Sequence, residues 1–92
     1  MDTFESLLFG LFTNNCNDVI GNDKIDDYTV DTCYTVDAGY ETGIMRDGGE
    51  WIIVERYSSR EAAEKGHKKW IEFCMTTPSS VYSVQLDREV EF

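Results

Sequence analysis

Apolar and polar residues follow two different periods along this chain. Over residues 28–36 the period is two. Tyr28, Val30, Thr32, Tyr34 and Val36 share one face; Thr29, Asp31, Cys33 and Thr35 share the other. That alternation predicts a strand, and Gly39 ends it. Residues 40–46 and 50–57 predict a hairpin around Asp47-Gly48-Gly49, where glycine accepts positive φ. Trp51-Ile52-Ile53-Val54 is the most apolar run and predicts a central strand.

After Ser58 the period becomes helical. Ser58-Ser59-Arg60-Glu61 predicts a capping box, with the hydroxyl on one orphan amide and Glu61 reaching back. Ala63, Gly66, His67, Trp70 and Cys74 fall on one face, flanked by Ile71 and Phe73. Glu61, Glu64, Lys65, Lys68 and Glu72 lie opposite, and Glu61–Lys65 and Glu64–Lys68 have the spacing of i,i+4 ion pairs. Pro78 marks the far side of the helix end.

The flanks are less regular. Residues 2–12 predict a short helix with Phe4, Leu7, Leu8 and Leu11 on one face. Phe9 and Phe12 widen that stripe, which suits either core packing or a dimer surface. Residues 13–27, rich in Asn, Asp and Gly, predict a loop. Residues 81–86 predict a last strand, and 87–92 a charged tail. The expected fold is a single α+β domain over 1–92, in the order α-β-β-β-α-β: an antiparallel sheet of about four strands with helices packed on one face.

Composition adds limits. Ninety-two residues, 41% hydrophobic and 13% aromatic, support one core of modest stability. The formal charge is −10 and it is uneven. Residues 1–50 hold eleven acids against Lys24 and Arg46, while residues 51–92 hold seven acids against six bases. Direct binding to duplex DNA is not expected, because that needs clustered Lys and Arg. The acidity either serves solubility or presents Asp18, Asp23, Asp26, Asp27 and Asp31 as a phosphate mimic to a basic groove on a partner protein. Cys16, Cys33 and Cys74 lack paired spacing, which points to reduced thiols in a cytosol. No apolar run approaches a membrane span.

Recognisable catalytic chemistry is absent. There is no glycine-rich phosphate loop, zinc-ligand pair or nucleophile elbow. A calcium loop fails on spacing, because with Gly21 as the turn glycine the first ligand position falls on Cys16. No catalytic residue, metal ligand or cofactor is expected. His67, the single histidine, is either a hydrogen-bonded core residue or the floor of a pocket between helix and strands. Gly66 costs about 1 kcal/mol inside a helix, so it marks a close approach. Trp70 is either core or a stacking platform. Lys65, Lys68 and Lys69 with Arg56 and Arg60 form a basic cluster that is either a solvated face or a phosphate-contacting rim.

Four segments carry a resemblance: Thr32-Cys33-Tyr34, Tyr40-Glu41-Thr42-Gly43, Trp51-Ile52-Ile53-Val54-Glu55-Arg56-Tyr57, and Glu61-Ala62-Ala63-Glu64-Lys65-Gly66-His67-Lys68-Lys69-Trp70. Together, over about residues 30–74, they resemble a widespread group of small tailed-phage proteins with a Tyr-Glu-Thr strand, an Arg-Tyr strand end and an Ala…Gly-His helix. The resemblance implies phage origin, action in the host cytoplasm and no known enzyme chemistry. The expected function is an accessory protein that counters a host defence component by binding. One form sequesters a nucleotide immune signal such as a cyclic oligonucleotide, using Thr32, Tyr34, Glu41, Thr42, Arg56, His67, Lys69 and Trp70. A second form is an anti-CRISPR-like acidic inhibitor of a defence nuclease. A third is a virion structural or assembly protein that forms homo-oligomers through the N-terminal helix.

Overall fold

A computed structural model describes residues 16–92. The helix expected over 2–12, and the oligomer surface assigned to it, lie outside the described residues. Within them the order is β1 (Asp18–Ile25), β2 (Tyr28–Thr35), β3 (Gly39–Arg46), β4 (Ile52–Tyr57), α1 (Arg60–Cys74), β5 (Ser80–Ser83) and β6 (Arg88–Glu91). Strands β1 to β4 form one antiparallel sheet in sequential order, and β5 and β6 form a separate hairpin. The domain is therefore α+β, as expected, with a different order of elements.

Four expectations are corrected. The loop expected over 13–27 contains β1, because β1 pairs with β2 from Asp18↔Tyr34 to Ile25↔Tyr28. Polar residues suit an edge strand with one solvated side, and hydrophobic periodicity does not find such strands. The strand over Trp51-Ile52-Ile53-Val54 is not central: β4 closes the edge of the four-stranded sheet, and β2 and β3 are the interior strands. The helix starts one residue later than the capping box requires. Ser59 is the N-cap and accepts from Ala62 N at 3.1 Å, so Glu61 stands too early to reach back. The residues expected to form a charged tail pair with β5 instead.

The thiols are also corrected. Cys16 and Cys33 are joined in a disulfide with Cα atoms 5.9 Å apart. Pairing of β1 with β2 brings these cysteines together, across 17 positions of sequence. Cys74 stays a free, buried thiol, and burial pushes its pKa up to about 11.

Helix α1 lies across one face of the sheet and touches all four strands. Tyr28, Val30, Ile44, Val54, Cys74 and Val81 form the core, with Trp70, Ile71, Phe73, Val90 and Phe92 packed at its margin. Fully burying a side chain of this kind contributes about 1.5–3 kcal/mol. The β5–β6 hairpin joins the β4 side, where Val84 N donates to Ile53 O at 2.9 Å. Phe92 closes the core edge-on against Tyr28, with ring centroids 5.3 Å apart.

Candidate functional site

The residues singled out from sequence separate into three places. The first is a polar seam between α1 and the sheet. Cross-strand pairing sets Gly21 opposite Thr32 and Thr32 opposite Thr42, all on the face toward the helix. His67 projects from α1 into this row. Its Nε2 lies 2.7 Å from Asp23 Oδ2 and its Nδ1 lies 2.6 Å from Thr32 Oγ1. Thr32 Oγ1 is 2.6 Å from Thr42 Oγ1, which is 2.8 Å from Tyr57 Oη. One hydrogen-bonded chain thus crosses the sheet from β1 to β4.

Two glycines make room for it. A methyl on Gly21 would overlap the His67 ring, and a methyl on Gly66 would overlap the Tyr57 ring. Gly66 therefore marks a close approach, as its place in the helix predicts, and the approaching group is a tyrosine of β4.

The direction of the chain follows from donors and acceptors. A carboxylate only accepts, so His67 Nε2–H donates to Asp23. With a neutral ring, Nδ1 accepts from the Thr32 hydroxyl. Thr32 then accepts from Thr42, and Thr42 accepts from Tyr57. With an imidazolium, Nδ1–H donates and each bond after it reverses, so the Tyr57 hydroxyl must donate onward. Burial raises the Tyr57 pKa to about 12, so this phenol keeps its proton and remains a donor.

The order carboxylate–imidazole–hydroxyl is that of a nucleophilic triad. Here the hydroxyl is sealed: Thr32 and Thr42 are each 0% exposed. An attacking oxygen needs a substrate carbonyl at contact distance, and Thr32 lines neither the cleft between α1 and the β5–β6 hairpin nor the one between that hairpin and the start of β4. The chain as folded satisfies buried polar groups and sets the register of α1 on the sheet.

The second place is the opposite face of the sheet. Glu41 is buried, and Arg56 Nε donates to its Oε2 at 2.7 Å across the β3–β4 pairing. Asp31 lies on this face too. Asn22 Nδ2 donates to its Oδ2 at 2.6 Å, and its Oδ1 is buried with no hydrogen-bond partner. Burial raises the Asp31 pKa, with the Asn22 hydrogen bond opposing.

The third place is the edge where α1 meets β4. Glu55 Oε1 accepts from Lys69 Nζ at 2.6 Å and from Trp70 Nε1 at 2.8 Å. Burial pushes the Glu55 carboxyl up, but these donors more than offset it and the pKa falls below the usual value. Tyr34 stands apart from all three, in tilted contact with Tyr40, with ring centroids 4.8 Å apart. Of the eight residues assigned to a nucleotide site, Thr32, Thr42 and His67 converge. Lys69 and Trp70 form a second group, Glu41 and Arg56 a third.

The five aspartates assigned to a partner surface also differ. Asp18 pairs with Arg60, Asp23 with His67 and Asp27 with Arg46. Asp31 is 6% exposed. Asp26 sits in the β1–β2 turn at φ +53, a left-handed position that Asp tolerates.

Sequence reasoning missed Gly21 and Tyr57 as members of the seam. Gly21 falls inside the stretch read as a loop. Tyr57 is a strand residue whose partner, Gly66, lies on another element. Comparison of the chain with protein-family models, curated proteins and solved structures finds no match.

Proposed function

We propose that the chain is a phage accessory protein that disarms a host defence component by binding it, and that the partner is a protein with a basic surface. The observation that carries this is the state of the cations. All eight Lys and Arg of the sequence lie among the described residues. Lys24, Arg46, Arg56, Arg60, Lys65 and Lys69 are in ion pairs with the chain's own carboxylates. Among the described residues, only Lys68 and Arg88 make no such pair. An anionic nucleotide would have to compete with those carboxylates in a net negative field. Meanwhile Asp26, Asp37, Glu50, Glu72, Asp87, Glu89 and Glu91 are exposed acids outside the ion pairs. This distribution supports the acidic inhibitor over the nucleotide sponge. The resemblance over 30–74 supplies the phage setting.

The test is displacement of a labelled oligonucleotide from a purified defence nuclease. Displacement that weakens as salt rises supports the reading, since screening acts on exposed charge. A salt-independent result would count against charge mimicry. Thermal shift with cyclic di- and trinucleotides addresses the rival reading, because a ligand that binds only the folded state must stabilise it. The cytoplasmic setting has its own check. The Cys16–Cys33 disulfide would be reduced in a reducing cytoplasm, where disulfides are rare, so on the cytoplasmic reading rapid alkylation in lysed host cells should label both cysteines. Protection of both would place the protein in an oxidising compartment.

A further inference from the structure

A cleft of about 410 Å³ opens between α1 and the β5–β6 hairpin. Its helix wall carries Trp70 and Phe73, edge-on to each other with ring centroids 5.2 Å apart. Its hairpin wall carries Tyr82, which is 46% exposed. Tyr82 is the cross-strand partner of Glu89, and Ser80 of Glu91. The register therefore sets Tyr82, Glu89 and Glu91 on the outer face of the hairpin. Val81 and Ser83 turn inward and are buried, and Arg88 alternates away from Glu89. Glu89 Oε2 accepts from Ser80 Oγ at 2.8 Å, and no cation of the described chain pairs with Glu89 or Glu91.

The geometry points to a binding site for a cationic side chain, a lysine or arginine on the surface of the basic partner. The Tyr82 ring is exposed and Glu89 lines the cleft, with Glu91 beside it on the same hairpin face, and an open aromatic ring next to unpaired carboxylates is the chemistry of cation recognition. Lys69 also lines the cleft, where it is held by Glu55 and covers the Trp70 ring with Nζ 5.0 Å from the centroid, so the incoming cation meets Tyr82 and Glu89. The proposal rests on the acidic-partner reading and gives it a location.

Oligolysine is the probe, titrated into the whole protein at low salt and followed by the Trp70 indole N–H resonance. Two variants leave the core untouched: Tyr82→Leu keeps bulk but removes the ring, and Glu89→Gln keeps the Ser80 hydrogen bond but removes the charge. Each should weaken binding about two- to fivefold, the range of an exposed cation–π or ion-pair contact. Asp37→Asn, in the β2–β3 turn, should change it less than either. Oligolysine binding with equal affinity to wild type and both variants would overturn the cleft and leave the acidic-partner reading standing. No binding of oligolysine at low salt would overturn both. A neutral leucine-rich peptide that binds as tightly would show that the cleft takes apolar side chains and overturn the cationic assignment.

Discussion

The seam under α1 and the cleft beside it are built from similar residue types, yet they are opposites. Both contain a tyrosine, a carboxylate and hydroxyl groups. In the seam, donors and acceptors are matched end to end, and the Thr32 and Thr42 hydroxyls at its centre are fully buried. In the cleft, the Tyr82 ring and Glu89 are exposed. A polar group buried without a partner costs about 1–3 kcal/mol, so the seam is intolerant of change. Exposed residues outside such networks typically shift stability by no more than about 0.5 kcal/mol. The difference separates residues that hold this fold from residues available for recognition.

The sharpest way to break this comparison is at the glycines. Gly66→Ala should cost about 3 kcal/mol or more, since the methyl overlaps a tyrosine ring already held by Thr42. Urea denaturation reads it, and an unchanged midpoint would mean that the seam yields easily. His67→Ala comes next, at about 2–3 kcal/mol, because it leaves a cavity and strips Thr32 of a partner. Tyr57→Phe removes only the last donor and should cost about 1 kcal/mol. Tyr82→Leu and Glu89→Gln in the cleft should stay within about 0.5 kcal/mol; a larger loss would make the cleft structural.

Asp31 sharpens the comparison from the other side. It is a buried acid outside the seam with one oxygen unpartnered, and its pKa is raised, first by burial. A raised acid binds its proton more tightly folded than unfolded. Stability therefore falls as pH rises from the unfolded pKa through the folded one, and the deficit persists at neutral pH. Asp31→Asn should raise the thermal midpoint at pH 7 by an amount equivalent to about 1 kcal/mol. That gain should shrink as pH falls from the raised folded pKa to the ordinary carboxylate value, and be gone below it. Glu55 has the opposite sign: its pKa is lowered, so its contribution is present at neutral pH and lost as pH falls through its folded value. A neutral-pH gain from Glu55→Gln would contradict that assignment.

Much of the fold was legible because periodicity is local. The alternation of Tyr28, Val30 and Thr32 marked β2, and Asp47-Gly48-Gly49 marked the β3–β4 turn, where Gly48 stands at φ +84. Ala63, Gly66, His67 and Cys74 marked the buried side of α1. The Glu61–Lys65 pair forms at 3.3 Å, whereas Glu64 pairs with Arg60. Strand β1 was not legible, since an edge strand with charged and amide residues has a loop's composition. The Cys16–Cys33 link was hidden for the same reason, as it follows from the β1–β2 register.

The sequence by itself determined the α+β class, the helix face and the excess of acid, because each depends on residue type and on spacing within one element. Tertiary structure decided what the polar residues do. Thr32, Thr42, His67 and Tyr57 come from four elements, and only their packing makes them one sealed chain. The same packing neutralises most of the cations and leaves Glu89 and Glu91 outward beside Tyr82. Burial and pairing are properties of distance between elements, and spacing along a chain does not encode them.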